Sequence, residues 1–162
     1  MKIKRVKSLI SPDSAQKARA YAFLLLKFRL RSAAELKARL KLKGFSEELS
    51  QDTVNFLKEK EFVDDRVFAR SWVAAKLKRP LGLRKIRQEL VQKGLAAEII
   101  EAAIAGVKKH YPEDRVVSQI AQQRFSRIKG VDLIKAKARV YGYLIRRGFA
   151  AEIVGEVVKK LN

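Results

Sequence analysis

The chain has 162 residues, and its 37 Lys plus Arg against 17 Asp plus Glu leave a formal net charge of +20. A hydrophobic content of 48%, with 8 Phe, 4 Tyr and 1 Trp, is too rich for a disordered basic tail and predicts a folded core. The absence of cysteine excludes a disulfide scaffold, thiolate metal sites and cysteine nucleophiles, and it fits a cytoplasmic protein.

The opening MKIKRVKSLISP carries positive charge without the apolar stretch or small-residue cleavage site of a secretory signal, so residues 1–13 read as a basic arm. Ser11 as N-cap and Pro12 at the first helical position start a helix that runs to about Arg29. Its apolar run, Tyr21 to Leu26, stops at Lys27, far short of the roughly 18 residues that span a bilayer. Ser32 followed by Glu35 is a capping box, and Lys43-Gly44 ends the short second helix. Ser46 with Glu47 and Glu48 opens a third, which ends near Lys60, because carboxylates suit the positive end of the helix dipole. The same signals predict helices near 65–79, 83–93, 97–109, 112–129, 133–147 and 151–161. No segment alternates with period two, so no sheet is expected.

Three segments repeat in one register: LKLKGFSEEL from Leu40, LVQKGLAAEI from Leu90 and LIRRGFAAEI from Leu144. Flanking apolar positions follow the same register, with Leu36, Ile86 and their helical neighbours forming stripes. The fold class is therefore all-α, with about nine helices in three tandem three-helix repeats forming an elongated, curved stack. The repeats occupy residues 14–60, 61–110 and 111–162 after the basic arm. In the helix 65–79, Phe68, Trp72 and Ala75 form one stripe and Val73 and Leu77 a second, which places Trp72 in the core.

Catalytic chemistry is thinly represented. His110 is the single histidine and follows Lys108 and Lys109 at a helix end, where a cation suits the dipole. Asp64 with Asp65 and Glu113 with Asp114 both open helices, and N-capping accounts for them better than acid–base or metal chemistry. No phosphate-cradling glycine loop of the Walker type occurs. We expect no catalytic residue, no metal and no cofactor.

The positive charge is spread over all three repeats, which points to a folded surface that meets a polyanion. The densest tract runs through Lys37, Arg39, Lys41 and Lys43, whose i,i+4 like-charge pairs should repel with only Glu35 near them. A second cluster gathers Lys76, Lys78, Arg79, Arg84, Lys85 and Arg87, and a third contains Arg124, Arg127, Lys129, Lys135, Lys137 and Arg139. The candidate binding residues are these four of the first tract, the six of the second cluster, and Arg124 and Arg127 of the third, with the second cluster favoured for being central. A membrane surface is the least favoured partner, since no helix is expected to expose a Trp or Phe face.

The recurring Leu-x-x-basic-Gly-apolar motif, together with DDRVFARSWV from Asp64 and GLRKIRQELVQKGL from Gly82, resembles the RecX family of regulators of the RecA recombinase, from about residue 14 onward. That resemblance implies an elongated, all-helical, cytoplasmic modulator that binds RecA–DNA filaments. Such a protein inhibits ATP hydrolysis, strand exchange and coprotease activity in recombination and the SOS response. It implies RecA and DNA, single- and double-stranded, as partners of a monomer, and it supplies no catalytic residue to transfer. The alternative is a sequence-independent DNA-binding or bridging module that affects RecA by competing for DNA.

Overall fold

The computed structural model describes residues 12–162. The Ser11 cap and most of the basic arm therefore lie outside the described residues. Within them the chain is all-α, with helices α1 (Pro12–Phe28), α2 (Ala33–Leu42), α3 (Glu47–Glu59), α4 (Asp65–Leu77), α5 (Leu83–Gln92), α6 (Ala97–Lys108), α7 (Glu113–Phe125), α8 (Leu133–Arg146) and α9 (Ala151–Lys159). They form three tandem three-helix repeats. The largest departure from the sequence expectation is α7, which ends at Phe125. There the Arg127 and Ile128 N–H groups turn to the carbonyls of Arg124 and Phe125 and tighten the last turn.

Local chemistry explains the breaks. Ser32 Oγ accepts from the Glu35 N–H while the Glu35 carboxylate accepts from the Ser32 N–H, completing the capping box. Ser46 and Asp132 cap α3 and α8 with the side-chain bond alone, accepting from the Leu49 and Lys135 N–H groups. The repeated Leu-x-x-basic-Gly-apolar motif is a helix stop in which each part has one task. The glycine takes a left-handed conformation, φ +102° at Gly44, +73° at Gly94 and +83° at Gly148. The following apolar residue then donates its N–H back to the leucine carbonyl, Phe45 to Leu40, Leu95 to Leu90 and Phe149 to Leu144. Leu95 and Phe149 are buried by this turn.

The chain divides into two compact units, one running to Phe68 and the other Ala69–Asn162, so the third repeat shares a unit with the second from Ala69 onward. In the first unit α1 packs on α2 and α3 around Ala22, Leu36, Leu40, Val54 and Leu57. Asp64 caps α4 by accepting from the Arg66 and Val67 N–H groups. Asp65, expected to cap its own helix, instead accepts from the Ala33 N–H at 2.9 Å and so caps α2, with Lys58 3.6 Å away. Glu113 plays a matching part in the second unit, where it accepts from the backbone N–H groups of Leu83 and Ala150 at the starts of α5 and α9. The first helix of each following repeat thus holds the N-terminus of the second helix in the repeat before it.

In the second unit α7, α8 and α9 pack on one another around Val117, Val140, Leu144, Phe149 and Val154. The junction between its two repeats is backbone against backbone. The Gly82 N–H donates to Arg147 O at 3.0 Å and the Arg84 N–H to Gly148 O at 3.2 Å. A Cβ on Gly82 would overlap the Gly148 carbonyl, and one on Gly148 would overlap the backbone of Lys85. Arg147 Nη1 donates to Pro80 O and the Tyr111 hydroxyl to Leu81 O, which closes the same seam.

Trp72 is half-buried, which corrects its expected place in the core. Its indole N–H donates to Glu89 at 3.1 Å, and the Lys76 and Lys93 ammoniums lie 4.7 and 4.9 Å from its ring. The buried line on α4 is Phe68, Ala69 and Val73, while Ala75 is exposed, because a stripe inclined by four-residue steps follows the helix more closely than the one read from Phe68, Trp72 and Ala75.

Candidate functional site

The sequence-derived cations divide into those held by carboxylates and those left to solvent. Lys37 and Lys41 both reach Glu47 at 2.6 Å, so the repulsion expected of this i,i+4 pair is relieved by an acid arriving from the next helix. The two ammoniums hold the Glu47 carboxyl at about 2, well below its usual 4.5. Lys43 lies 5.6 Å from the Tyr21 ring, and Arg39 is exposed with no ion pair among the described residues. Glu35, the acid that sequence reading placed nearest this tract, is engaged by both terminal nitrogens of Arg29 at 3.1 and 3.0 Å.

The second cluster is similarly divided. Lys76 bonds Glu89 at 2.8 Å beside Trp72, and Arg87 bonds Glu101 at 2.7 Å. Lys85 is half-buried where its backbone receives Gly148. Lys78, Arg79 and Arg84 are exposed and carry no ion pair among the described residues. They flank the α4–α5 break around Pro80, so three of the six favoured residues present uncompensated charge.

Part of the third cluster forms a concave site, whereas Lys135 pairs with Asp132 at 3.3 Å and Lys137 donates to Lys159 O at 3.0 Å, both away from it. Arg124 and Arg127, from the end of α7 and the turn after it, face Arg139 and Arg146 of α8 across a cleft of about 560 Å³. Its apolar lining includes Ile120, Ile128 and Ala138, and no carboxylate lines it. Arg124 stacks 4.0 Å from the Tyr143 ring, with Arg147 5.1 Å from the same ring. Arg146 was not singled out from the sequence. The signal that finds it is spacing, since Arg139, Gly142 and Arg146 recur on one face of α8.

A second feature escaped sequence reading. α1 exposes Phe23, Leu24 and Phe28, at 38%, 52% and 76%, and Phe23 meets Phe62 edge-on at 4.9 Å between ring centres. This corrects the expectation that no helix exposes a Phe face. Period 3.6 assigns apolar residues to a stripe, but α1 carries more of them than one stripe holds. Among the described residues no group of three or more His, Cys, Asp or Glu is arranged to hold a metal ion, and no helix is long and apolar enough to cross a membrane.

Comparison with known proteins places these repeats. Models of the first, second and third three-helix domains of RecX match residues 18–57, 64–104 and 113–158. The chain is 30% identical over 158 residues to a regulatory protein RecX of Clostridium botulinum (strain Alaska E43 / Type E3), covering 96% of this chain and 74% of that one. It is 33% identical over 153 residues to a regulatory protein RecX of Mycobacterium sp. (strain JLS), covering 91% and 82%. The crystal structure of RecX from Lactobacillus salivarius superposes with a TM-score of 0.79 at 20% identity, over 92% of this chain and 97% of that one, and so shares the fold. With all three domain models matched in order and relatives of 30–33% identity covered over most of their length, the chain belongs to the RecX family.

Proposed function

We propose that this protein is a non-enzymatic modulator of RecA that binds RecA–DNA filaments and acts mainly as an inhibitor of ATP hydrolysis, strand exchange and coprotease activity during recombination and SOS repair. Residues 14–60, 61–110 and 111–162 are its three filament-contacting repeats, with residues 1–13 as a basic supplement. The observation that carries the reading is the ordered match to all three RecX domains. Physical chemistry supports the partner's character. A filament on DNA is anionic and periodic, and a chain of net charge +20 built from repeats offers a matching cationic series.

Among the twelve sequence-derived residues, Lys78, Arg79, Arg84, Arg39, Arg124 and Arg127 are the strongest contacts, because no carboxylate compensates them among the described residues. Lys37, Lys41, Lys76 and Arg87 are secondary contacts, each already held by an acid, and Lys43 and Lys85 complete the set.

The test is RecA-catalysed ATP hydrolysis on single-stranded DNA in large excess, titrated with this protein from well below the RecA concentration. Inhibition at substoichiometric protein supports recognition of the assembled filament or its ends. Inhibition that begins only as the protein approaches DNA coverage refutes it and leaves the second reading, a DNA-binding module that competes for the lattice. The arginine-lined cleft favours keeping that second reading in view.

A further inference from the structure

We infer that the cleft between α7 and α8 is a nucleotide-binding recess for single-stranded nucleic acid, with backbone phosphates on its arginines and one base lodged between the helices. The inference deepens the DNA-binding reading by giving it a site, and it does not depend on the filament reading.

Three observations carry it. The first is charge: Arg124, Arg127, Arg139 and Arg146 converge on one cleft that no carboxylate lines, and the planar guanidinium fork matches phosphate oxygens. The second is shape. A volume of about 560 Å³ admits a nucleotide, and a base of a single strand enters it freely, whereas a base of a duplex enters only after unpairing and unstacking. Carboxylates of an acidic peptide reach guanidiniums at the mouth on their own flexible stems and need no recess. A nucleotide does need one, because its base projects sideways from the phosphate.

The third observation is Gly142. It lies inside α8, where glycine costs about 1 kcal/mol relative to alanine. Its backbone is not left-handed, and a Cβ there would meet only the far end of the Arg146 side chain, at 3.2 Å. Packing against another helix therefore does not require this glycine. Gly106 and Gly155 within α6 and α9 have nothing near their Cβ positions, but Gly142 lines the cleft, where the missing side chain makes room for the Arg146 guanidinium to lie along the floor. Ile120 and Ile128 give the recess an apolar wall against which a base can rest.

The experiment measures fluorescence anisotropy of labelled oligo(dT), and separately of a labelled duplex, with the full chain and two variants over a range of salt. The triple variant Arg127→Ala, Arg139→Ala, Arg146→Ala removes exposed side chains without ion pairs among the described residues, so its melting temperature should hold. Its oligo(dT) affinity should fall at least about tenfold, and its log–log salt slope should flatten by roughly 2, as three phosphate contacts on a single strand require. Gly142→Leu fills the recess while favouring the helix. It should weaken oligo(dT) binding about tenfold with the salt slope and duplex affinity unchanged.

Unchanged oligo(dT) binding by either variant overturns the inference, as does an equal loss of duplex binding in Gly142→Leu. Polyglutamate that displaces oligo(dT) more effectively than an equal concentration of unlabelled oligo(dT) also overturns it, in favour of an acidic protein segment. No arm contains RecA, so failure of the filament assay leaves this result intact and the converse also holds.

Discussion

Gly82→Ala isolates the seam between the second and third repeats. Gly82 has φ −74°, so alanine suffers no left-handed strain there, and the new methyl meets the Gly148 carbonyl and the Phe149 N–H side of the α8–α9 turn. Neither neighbour is a flexible side chain that can swing away. Forcing the methyl in costs about 1–3 kcal/mol as overpacking. Separating the turns weakens the Gly82-to-Arg147 and Arg84-to-Gly148 hydrogen bonds, each worth about 0.5–1.5 kcal/mol. A loss of about 2–6 kcal/mol follows, a large share of the 5–15 kcal/mol of an ordinary domain. Gly44→Ala is the comparison, because its φ is +102° and nothing lies within 4 Å of its Cβ, so it carries only the backbone strain of about 1–2 kcal/mol. Urea unfolding followed by fluorescence of Trp72, the single tryptophan, reads the second unit directly, while circular dichroism reads both. Gly82→Ala should lower the fluorescence midpoint more than Gly44→Ala does. A Gly82→Ala protein within about 0.5 kcal/mol of the parent would refute the argument that this junction is close-packed backbone.

Further outcomes are equally specific. Trp72→Phe should cost about 1–2 kcal/mol by circular dichroism, since it leaves Glu89 without the indole N–H in a half-buried site but creates no core cavity. Carboxyl titration by NMR should find Glu47 with a midpoint of about 2. Because that folded value lies below the unfolded 4.5, its stabilisation is complete above 4.5 and is lost as pH falls through about 2, and Lys37→Met with Lys41→Met should abolish that dependence. Glu113 has the opposite sign. Burial raises its pKa, so its contribution declines as pH rises from 4.5 through the folded value, and Glu113→Gln should flatten that decline in the fluorescence-detected stability. In the RecA assay, Lys78→Ala, Arg79→Ala, Arg84→Ala should weaken inhibition more than Lys37→Met, Lys41→Met at unchanged melting temperature, because Glu47 already offsets the latter pair.

The helices and their repetition follow from chemistry that is local along the chain. Capping boxes, glycine stops and apolar stripes are interactions among residues a few positions apart, so Ser32, Ser46, Gly44, Gly94 and Gly148 could be assigned tasks without knowing what lies across from them. The placement of cationic clusters was equally legible, since charge is a property of composition.

Which cations are free is set by packing between helices. Glu47 neutralises Lys37 and Lys41 from another helix, Glu89 takes Lys76, and Asp65 turns from its own helix to cap α2. The same holds for the second duty of Gly148, which both ends α8 and admits the backbone of Lys85. The arginine-lined cleft belongs with these, because Arg124 and Arg139 converge only when α7 and α8 pack together. The physical reason is common to all of them: a helix signal acts along a few residues of chain, whereas an ion pair or a cleft is settled by distances between segments that packing alone sets.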